Sequence, residues 1–414
     1  MSDVASLCRR ARVAARQLAP KNREARDGGL RAIAAGLRAH VSDIVAANAL
    51  DVADARARGT TEAMIDRLAV DPKRVAQMAD AVDQIVSLED PVGRVLSDTI
   101  RPNGLRVRRM SVPIGVIAIV YESRPNVTVD ASVLCLKAGN AVVLRGGSDA
   151  ARSNAAILAV IREGLEKAGL PPDAVQALPP ADREAIRELL HQTETVDLVI
   201  PRGGESLIRF VQENARVPVI AHAKGVCHLY LDAGADVDMA VRLAMNAKLQ
   251  RPGVCNAIEC LLVDAADAPR LLPPVARRLL DGGCELRGDE RTRALVPEAK
   301  SATDDDWGHE YVDRILAVRV VEGLDGALDH IARYGSGHTE AICTPDPAHA
   351  ERWRHEIDTA CVVVNASTRF HDGGEVGLGA EIGTATSKLH WRGTMGLEGL
   401  TTFQWIIDGS GQTR

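Results

Sequence analysis

Val112-Pro-Ile-Gly-Val-Ile-Ala-Ile-Val-Tyr121 is an apolar, β-branched run; a helical pattern over 130–137 follows it and stops at Gly139-Asn140. Ala141-Val-Val-Leu144 is then a second short buried strand. The alternation continues with a helix over 153–167, capped by Ser153 and stopped by Gly169 and Pro171, and a strand at 175–178. Helix 182–191, strand 196–200, a helix from Glu205 and strand 217–220 complete the block. Near-continuous apolar strands between helices describe a parallel sheet covered on both faces. A second block repeats the pattern: strand 226–231, helix 237–249, strand 257–263, helix 269–280, strand 314–321, helix 324–334, strand 339–344, helix 347–357 and strand 360–365. The chain therefore reads as α/β with two parallel-sheet domains. Residues 1 to about 90 are alanine-rich and helical in period, suited to packing over a sheet. Between them, 98–110 reads as a hairpin turning at Pro102-Asn103-Gly104. A projecting hairpin of this kind can add a strand to a neighbour, so a homo-oligomer is expected.

Composition narrows the function. The 414 residues are 46% hydrophobic and 26% charged, the balance of a soluble globular protein. A net charge of -6 with 3% aromatics gives no case for nucleic acid or an anionic membrane surface. No apolar run approaches the roughly 20 residues of a membrane span. The arginine-rich segment 1–20 lacks the apolar core of a signal peptide. Eight scattered cysteines without a CxxC pair suit reduced thiols in a cytoplasmic protein.

Several motifs carry chemistry. Cys255 lies in the turn Gln250-Arg-Pro-Gly-Val-Cys-Asn-Ala257, which can present a thiol at the mouth of a cleft as a covalent nucleophile. Most cysteines are simply packed in cores, so this reading needs a site around it. Gly146-Gly147-Ser148 and Gly203-Gly204-Glu205-Ser206 both follow strands and precede helices, where backbone amides can hold a phosphate. Two such turns in one sheet point to a nucleotide. Asn126, just past a strand end, can aim its amide at an oxyanion. Arg124, Arg251, Arg369 and His371 fall in expected loops and suit an anionic substrate. His330 and His338 lack partners at metal-ligand spacing, so no metal is expected. Gly377-Leu-Gly-Ala-Glu-Ile-Gly383 has the wrong spacing for a dinucleotide fingerprint.

The runs Tyr121-Glu-Ser-Arg-Pro-Asn-Val-Thr128, Ala141-Val-Val-Leu-Arg-Gly-Gly147, Pro252-Gly-Val-Cys-Asn256 and Ala327-Leu-Asp-His-Ile-Ala-Arg-Tyr-Gly-Ser-Gly-His-Thr-Glu-Ala-Ile342 resemble the gamma-glutamyl phosphate reductases. This family, the glutamate-5-semialdehyde dehydrogenases, belongs to the aldehyde dehydrogenase superfamily. The resemblance implies an aldehyde dehydrogenase-like fold with an NADP-binding domain (1–97 and 111–224), a catalytic domain (225–395) and an oligomerisation element (98–110 and 396–414). It implies NADPH-dependent reduction of L-glutamyl 5-phosphate to the semialdehyde, the second step of proline biosynthesis. Cys255 matches the nucleophile and Asn126 the oxyanion-hole asparagine. Arg145 stands where a cation can meet the 2′-phosphate, and Glu310 matches a glutamate that holds the nicotinamide ribose. The segment Ala221-His-Ala-Lys-Gly-Val226 lacks the carboxylate that hydrolytic relatives use to activate water. No kinase domain is recognisable, so the acyl phosphate comes from another protein, and association with a glutamate 5-kinase is compatible with that division. An acyl-CoA-dependent dehydrogenase of the same fold is the rival reading.

Overall fold

The computed structural model describes residues 3–122, 124–179, 183–222 and 224–414; Asp182, the expected start of one helix, and Ala223 lie outside the described residues. Two parallel sheets organise the chain. The first is formed by Val175–Ala177, Ala141–Arg145, Val116–Tyr121 and Leu198–Arg202, in that order. Val116–Tyr121 is buried along its whole length, as an unbroken apolar run in a central strand requires. Four of the five N-terminal helices, Arg23–Ala39 and Pro72–Ser87 among them, share the core of this sheet. Arg23–Ala39 buries Leu30, Ile33, Ala34 and Leu37, the spacing of one helical face.

Three local expectations change. The helix expected at 130–137 begins at Pro125, because proline at the first helical position gives up an N–H that has no partner there anyway. Asn126, just past the strand end, is thus in the first turn of that helix. Ser153 does not cap its helix, which starts at Ala151 after a 3-10 turn. Instead, Asp51 from Val41–Ala57 accepts from the Ser153 N–H at 2.8 Å and its hydroxyl at 2.7 Å. The strand expected at 217–220 reduces to a single bridge between Val199 and Val219, because Pro218 has no N–H to extend a ladder.

The second sheet has seven parallel strands in the order Lys300–Ser301, Glu285–Gly288, Ile315–Val321, Ile258–Asp264, Cys227–Leu231, Thr339–Cys343 and Cys361–Val364. Its outer strands Glu285–Gly288 and Lys300–Ser301, and the helix Glu290–Leu295 between them, escape a search for apolar runs. The first of these alternates buried and half-buried residues and carries charge at a sheet edge. A third, antiparallel sheet joins Val95–Ile100, Arg106–Pro113 and Thr401–Asp408. It realises the hairpin, with Gly104 at φ 86 in the turn, and exposes Ile100, Trp405 and Ile407.

Strand direction places the chemistry. Glu122, Arg145 and Arg202 lie at the carboxyl ends of the first sheet's strands. His222, Cys255, Glu310 and His338 instead precede strands of the second sheet, so they gather at its amino edge. Among the described residues, no helix is long and apolar enough to cross a membrane.

Candidate active site

Cys255 is half-buried and held from below by glycine. A Cβ on Gly225 would stand 2.3 Å from the Cys255 carbonyl oxygen and 2.7 Å from its Cα, so only glycine lets the two segments touch. The Cys227 thiol donates to the same carbonyl at 3.1 Å. On the other side, the buried Asn256 amide donates to the His371 carbonyl at 3.0 Å, while the Thr368 hydroxyl donates to the Asn256 carbonyl at 2.6 Å. Arg369 donates to the Asn256 side-chain oxygen and, at 2.9 Å, to Gln250. The Cys255 turn is therefore clamped at both flanks.

Burial pushes the Cys255 thiol up to about 11; Arg202 opposes this, and Glu310 and Glu381 reinforce it. At neutral pH the sulfur thus rests protonated and needs a base. His222 and His338 supply imidazoles: one ring nitrogen of each and the Cys255 sulfur lie within 4.8 Å of one another. His222 Nδ1 lies 3.0 Å from the Thr384 carbonyl, which can only accept, so Nδ1 carries the proton and Nε2 the lone pair. Burial and Arg202 hold the His222 pKa below its ordinary 6.5, which keeps that lone pair free at neutral pH. Neither histidine was picked out as a catalytic base by sequence. The available signal was a histidine within three residues of a glycine ahead of a buried strand, seen in both His222-Ala-Lys-Gly225 and Gly337-His338.

The expected substrate residues divide. Partial burial, then Arg67, Arg202 and Arg251, depress the Arg124 guanidinium. Burial also depresses Arg369, with Arg251 adding and Asp372 and Cys255 opposing. Arg124, Arg251 and Arg369 therefore share one positive field, and Arg202, which sequence reasoning missed, belongs to it. His371, also expected at the substrate, is engaged within the protein. It is buried, its Nδ1 meets Thr339 Oγ1 at 2.8 Å and its Nε2 accepts from the Thr394 N–H at 3.3 Å, so both nitrogens are taken. Asn126 is exposed and gives one amide hydrogen to Asp130 at 3.0 Å, leaving a second hydrogen for an oxyanion. Burial raises Asp130 to about 6.

The cofactor candidates line the first sheet's carboxyl edge. Burial depresses Arg145, while Glu122 and Asp149 act in the opposite sense. A Cβ on Gly146 would meet Asn154 at 2.4 Å, so that turn is packed closely beneath whatever lies over it. Gly147 leads into the 3-10 turn Ser148–Ala150, and Ser148 borders a cavity of about 230 Å³ with Asp51, Asp54, Arg58, Asp149 and Arg152. Gly204 begins the helix Glu205–Asn214 beside Gly203, but the Glu122 carboxylate already accepts from the Gly204 N–H at 2.9 Å. That amide is therefore already engaged, and Ser206 stands exposed in the first turn beyond it. Glu310 accepts from the Gly225 N–H, and burial raises its pKa. A buried group of His228, Cys260 and His330 also has metal-ligating residue types. There Arg319 donates to His330 Nδ1 at 3.0 Å, which leaves the proton on Nε2, where it faces Cys260 at 3.7 Å and blocks ligation.

The sequence pattern of the aldehyde dehydrogenase family matches residues 1–284. A gamma-glutamyl phosphate reductase of Sorangium cellulosum is 60% identical over 414 residues, covering 99% of this chain and 97% of that protein. One from Parvibaculum lavamentivorans is 53% identical, covering 98% and 96%. The crystal structure of the Thermotoga maritima gamma-glutamyl phosphate reductase superposes with a TM-score of 0.98 at 44% identity, over 100% of both chains. An acetylating aldehyde dehydrogenase from Geobacillus thermoglucosidasius, 17% identical with a TM-score of 0.68 over 100% and 97% of the two chains, shares the fold. The chain belongs to the aldehyde dehydrogenase family, on its gamma-glutamyl phosphate reductase branch.

Proposed function

We propose that this chain reduces L-glutamyl 5-phosphate to L-glutamate 5-semialdehyde and phosphate through a thioester on Cys255, the second step of proline biosynthesis, with NADPH as reductant. The observation that carries this reading is a thiol and a neutral imidazole base inside an arginine field suited to an acyl phosphate that also bears a carboxylate. His222 Nε2 takes the Cys255 proton as sulfur bonds to the acyl carbon. The Asn126 amide and the Cys255 backbone N–H, which already points at its own sulfur, receive the oxyanion; one such donor is worth about 3 to 4 kcal/mol. The C–O bond to phosphate then breaks, and Arg124, Arg202, Arg251 and Arg369 hold the departing charge. NADPH, when bound, supplies the hydride that brings the thioester to the aldehyde level. As the C–S bond breaks, His222 returns its proton to Cys255.

The residues present fit that dinucleotide: a cation at Arg145, tight glycine turns at strand ends, and Glu310 beside Cys255 for a ribose hydroxyl. Glu122 must leave the Gly204 amide for phosphate to use it. We assign 1–97 and 111–224 to cofactor binding, 225–395 to catalysis and 98–110 with 396–414 to assembly, where a second copy covers Ile100, Trp405 and Ile407. The protein then works in the cytoplasm on acyl phosphate delivered by a separate glutamate 5-kinase.

The function is tested by steady-state oxidation of glutamate semialdehyde with NADP in the presence of phosphate or of coenzyme A. Turnover with phosphate alone is expected; turnover with coenzyme A alone overturns the assignment. The cofactor assignment has its own test. Arg145→Ala removes one charge-assisted contact of about 1.5 to 3 kcal/mol, so KM for NADPH should rise by about 10- to 100-fold with little change for NADH. Equal losses for both cofactors would place Arg145 away from the 2′-phosphate.

A further inference from the structure

We propose that Thr339 and His371 are positioning residues that fix the tautomer of His338, so that His338 presents an Nε2–H donor to the Cys255 sulfur. The inference rests on the reading of Cys255 as nucleophile. It follows from hydrogen-bond polarity along one buried chain.

Gly393, at φ 89, turns the backbone just before Thr394, whose N–H reaches His371 Nε2 at 3.3 Å. A backbone N–H can only donate, so His371 Nε2 is bare and its ring proton sits on Nδ1. That Nδ1–H donates to Thr339 Oγ1 at 2.8 Å. The single hydroxyl hydrogen of Thr339 then has two acceptors in reach, the Cys227 sulfur and His338 Nδ1 at 2.7 Å, and the imidazole nitrogen, the stronger acceptor, takes it. Cys227, 3.6 Å from His338 Nδ1, does not compete, because its S–H donates to the Cys255 carbonyl. His338 Nδ1 therefore accepts, and its proton is on Nε2. Among the described residues that atom is buried and has no hydrogen-bond partner, in a residue that is 0% exposed and belongs to the group of three around the Cys255 sulfur.

An unsatisfied buried N–H is costly unless something arrives to accept from it. The acceptor here is the thiolate formed when His222 takes the Cys255 proton. The two imidazoles thus have opposite polarity toward one sulfur: His222 offers a lone pair and His338 a hydrogen. The same polarity disfavours a metal ion at this group, since His338 Nε2 has no lone pair to give.

The test compares Thr339→Val, which keeps the shape but removes the hydroxyl, with Thr339→Ser, which keeps the hydroxyl. Thr339→Val should lower kcat on the order of 10²-fold with KM nearly unchanged, while Thr339→Ser stays close to the parent. Nitrogen NMR of histidine-labelled protein gives a readout that a packing role would not move. In the parent, His338 should show a protonated Nε2 and a bare Nδ1; in Thr339→Val the two tautomers should mix. Equal activity of the valine and serine variants overturns the relay, as does a parent spectrum with the His338 proton on Nδ1, which needs no variant to fold. Loss of all turnover in Cys255→Ala alongside a fully active Thr339→Val would remove the relay and leave the nucleophile standing.

Discussion

Cys255→Ala is expected to lose turnover on the order of 10⁶-fold, the scale seen when a covalent nucleophile is removed, while the fold and its unfolding temperature persist. The sulfur is half-buried at a turn, and the turn is held by Gly225, Cys227, Asn256 and Arg369 through groups other than that sulfur. Removing the thiol therefore takes away chemistry and leaves the clamps. Cofactor affinity, measured by fluorescence titration with NADPH, should be close to that of the parent. An alanine variant that keeps substantial activity would mean that the acyl group never passes through Cys255. Cys227 and Cys260, whose thiols are fully buried and raised far above the ordinary range, are not placed to substitute for it.

His222→Gln should cost about 10²- to 10⁴-fold in kcat/KM at neutral pH, the range for a general base. Glutamine keeps an N–H for the Thr384 carbonyl but has no basic nitrogen, so structure is retained and proton transfer is lost. The sign of the pH effect distinguishes this from a packing defect. In the parent, activity falls as pH drops through the His222 pKa, and because burial and Arg202 depress that pKa, the acid limb should lie below the ordinary histidine value of 6.5. In the variant, only solvent hydroxide can ionise a thiol whose pKa lies near 11. Its rate should therefore climb steadily through the neutral and alkaline range with no plateau. The alkylation rate of Cys255 by iodoacetamide should follow the same two profiles. A variant with the parent's acid limb would assign that limb to another group.

Much of the architecture is legible in the chain because its central strands are mostly apolar, with few polar breaks. Residues 116–121, 227–231 and 258–264 are buried on both faces, and periodicity finds them. The strands at 285–288 and 300–301 lie at an edge, where charge replaces the apolar signal. The helical pattern shows itself only from Asp130, although the helix begins at Pro125, a first-turn position that suits proline. The site divides in the same way. Cys255 shows itself through its turn, but the partners that make it reactive come from segments far away in sequence. Their meeting point is the amino edge of a parallel sheet, whereas the general rule for open α/β sheets sends a reader to the carboxyl edge. His371 shows the limit of residue type as a guide: a histidine in a loop beside arginines suggested a ligand to the substrate, and its two hydrogen bonds assign it to the support of His338.

The missing carboxylate in residues 221–226 also takes on a different weight in three dimensions, because Glu310 and Glu381 act on the Cys255 sulfur from other segments. Glu310 is tied to the Gly225 N–H, and Glu381 accepts from the Gly373 N–H at 2.9 Å. Glu259 has both oxygens engaged, by Lys248 at 2.5 Å and the Val312 N–H at 3.2 Å. Whether the thioester is kept from water is decided by rapid mixing of the full-length enzyme with glutamate semialdehyde and NADP in phosphate-free buffer. The expected result is a burst of about one NADPH per active site, an added glutamyl mass on Cys255, and steady turnover only after phosphate is supplied. Rapid, phosphate-independent production of glutamate without a burst would contradict it, and would make Glu310 or Glu381 the base of a hydrolytic dehydrogenase.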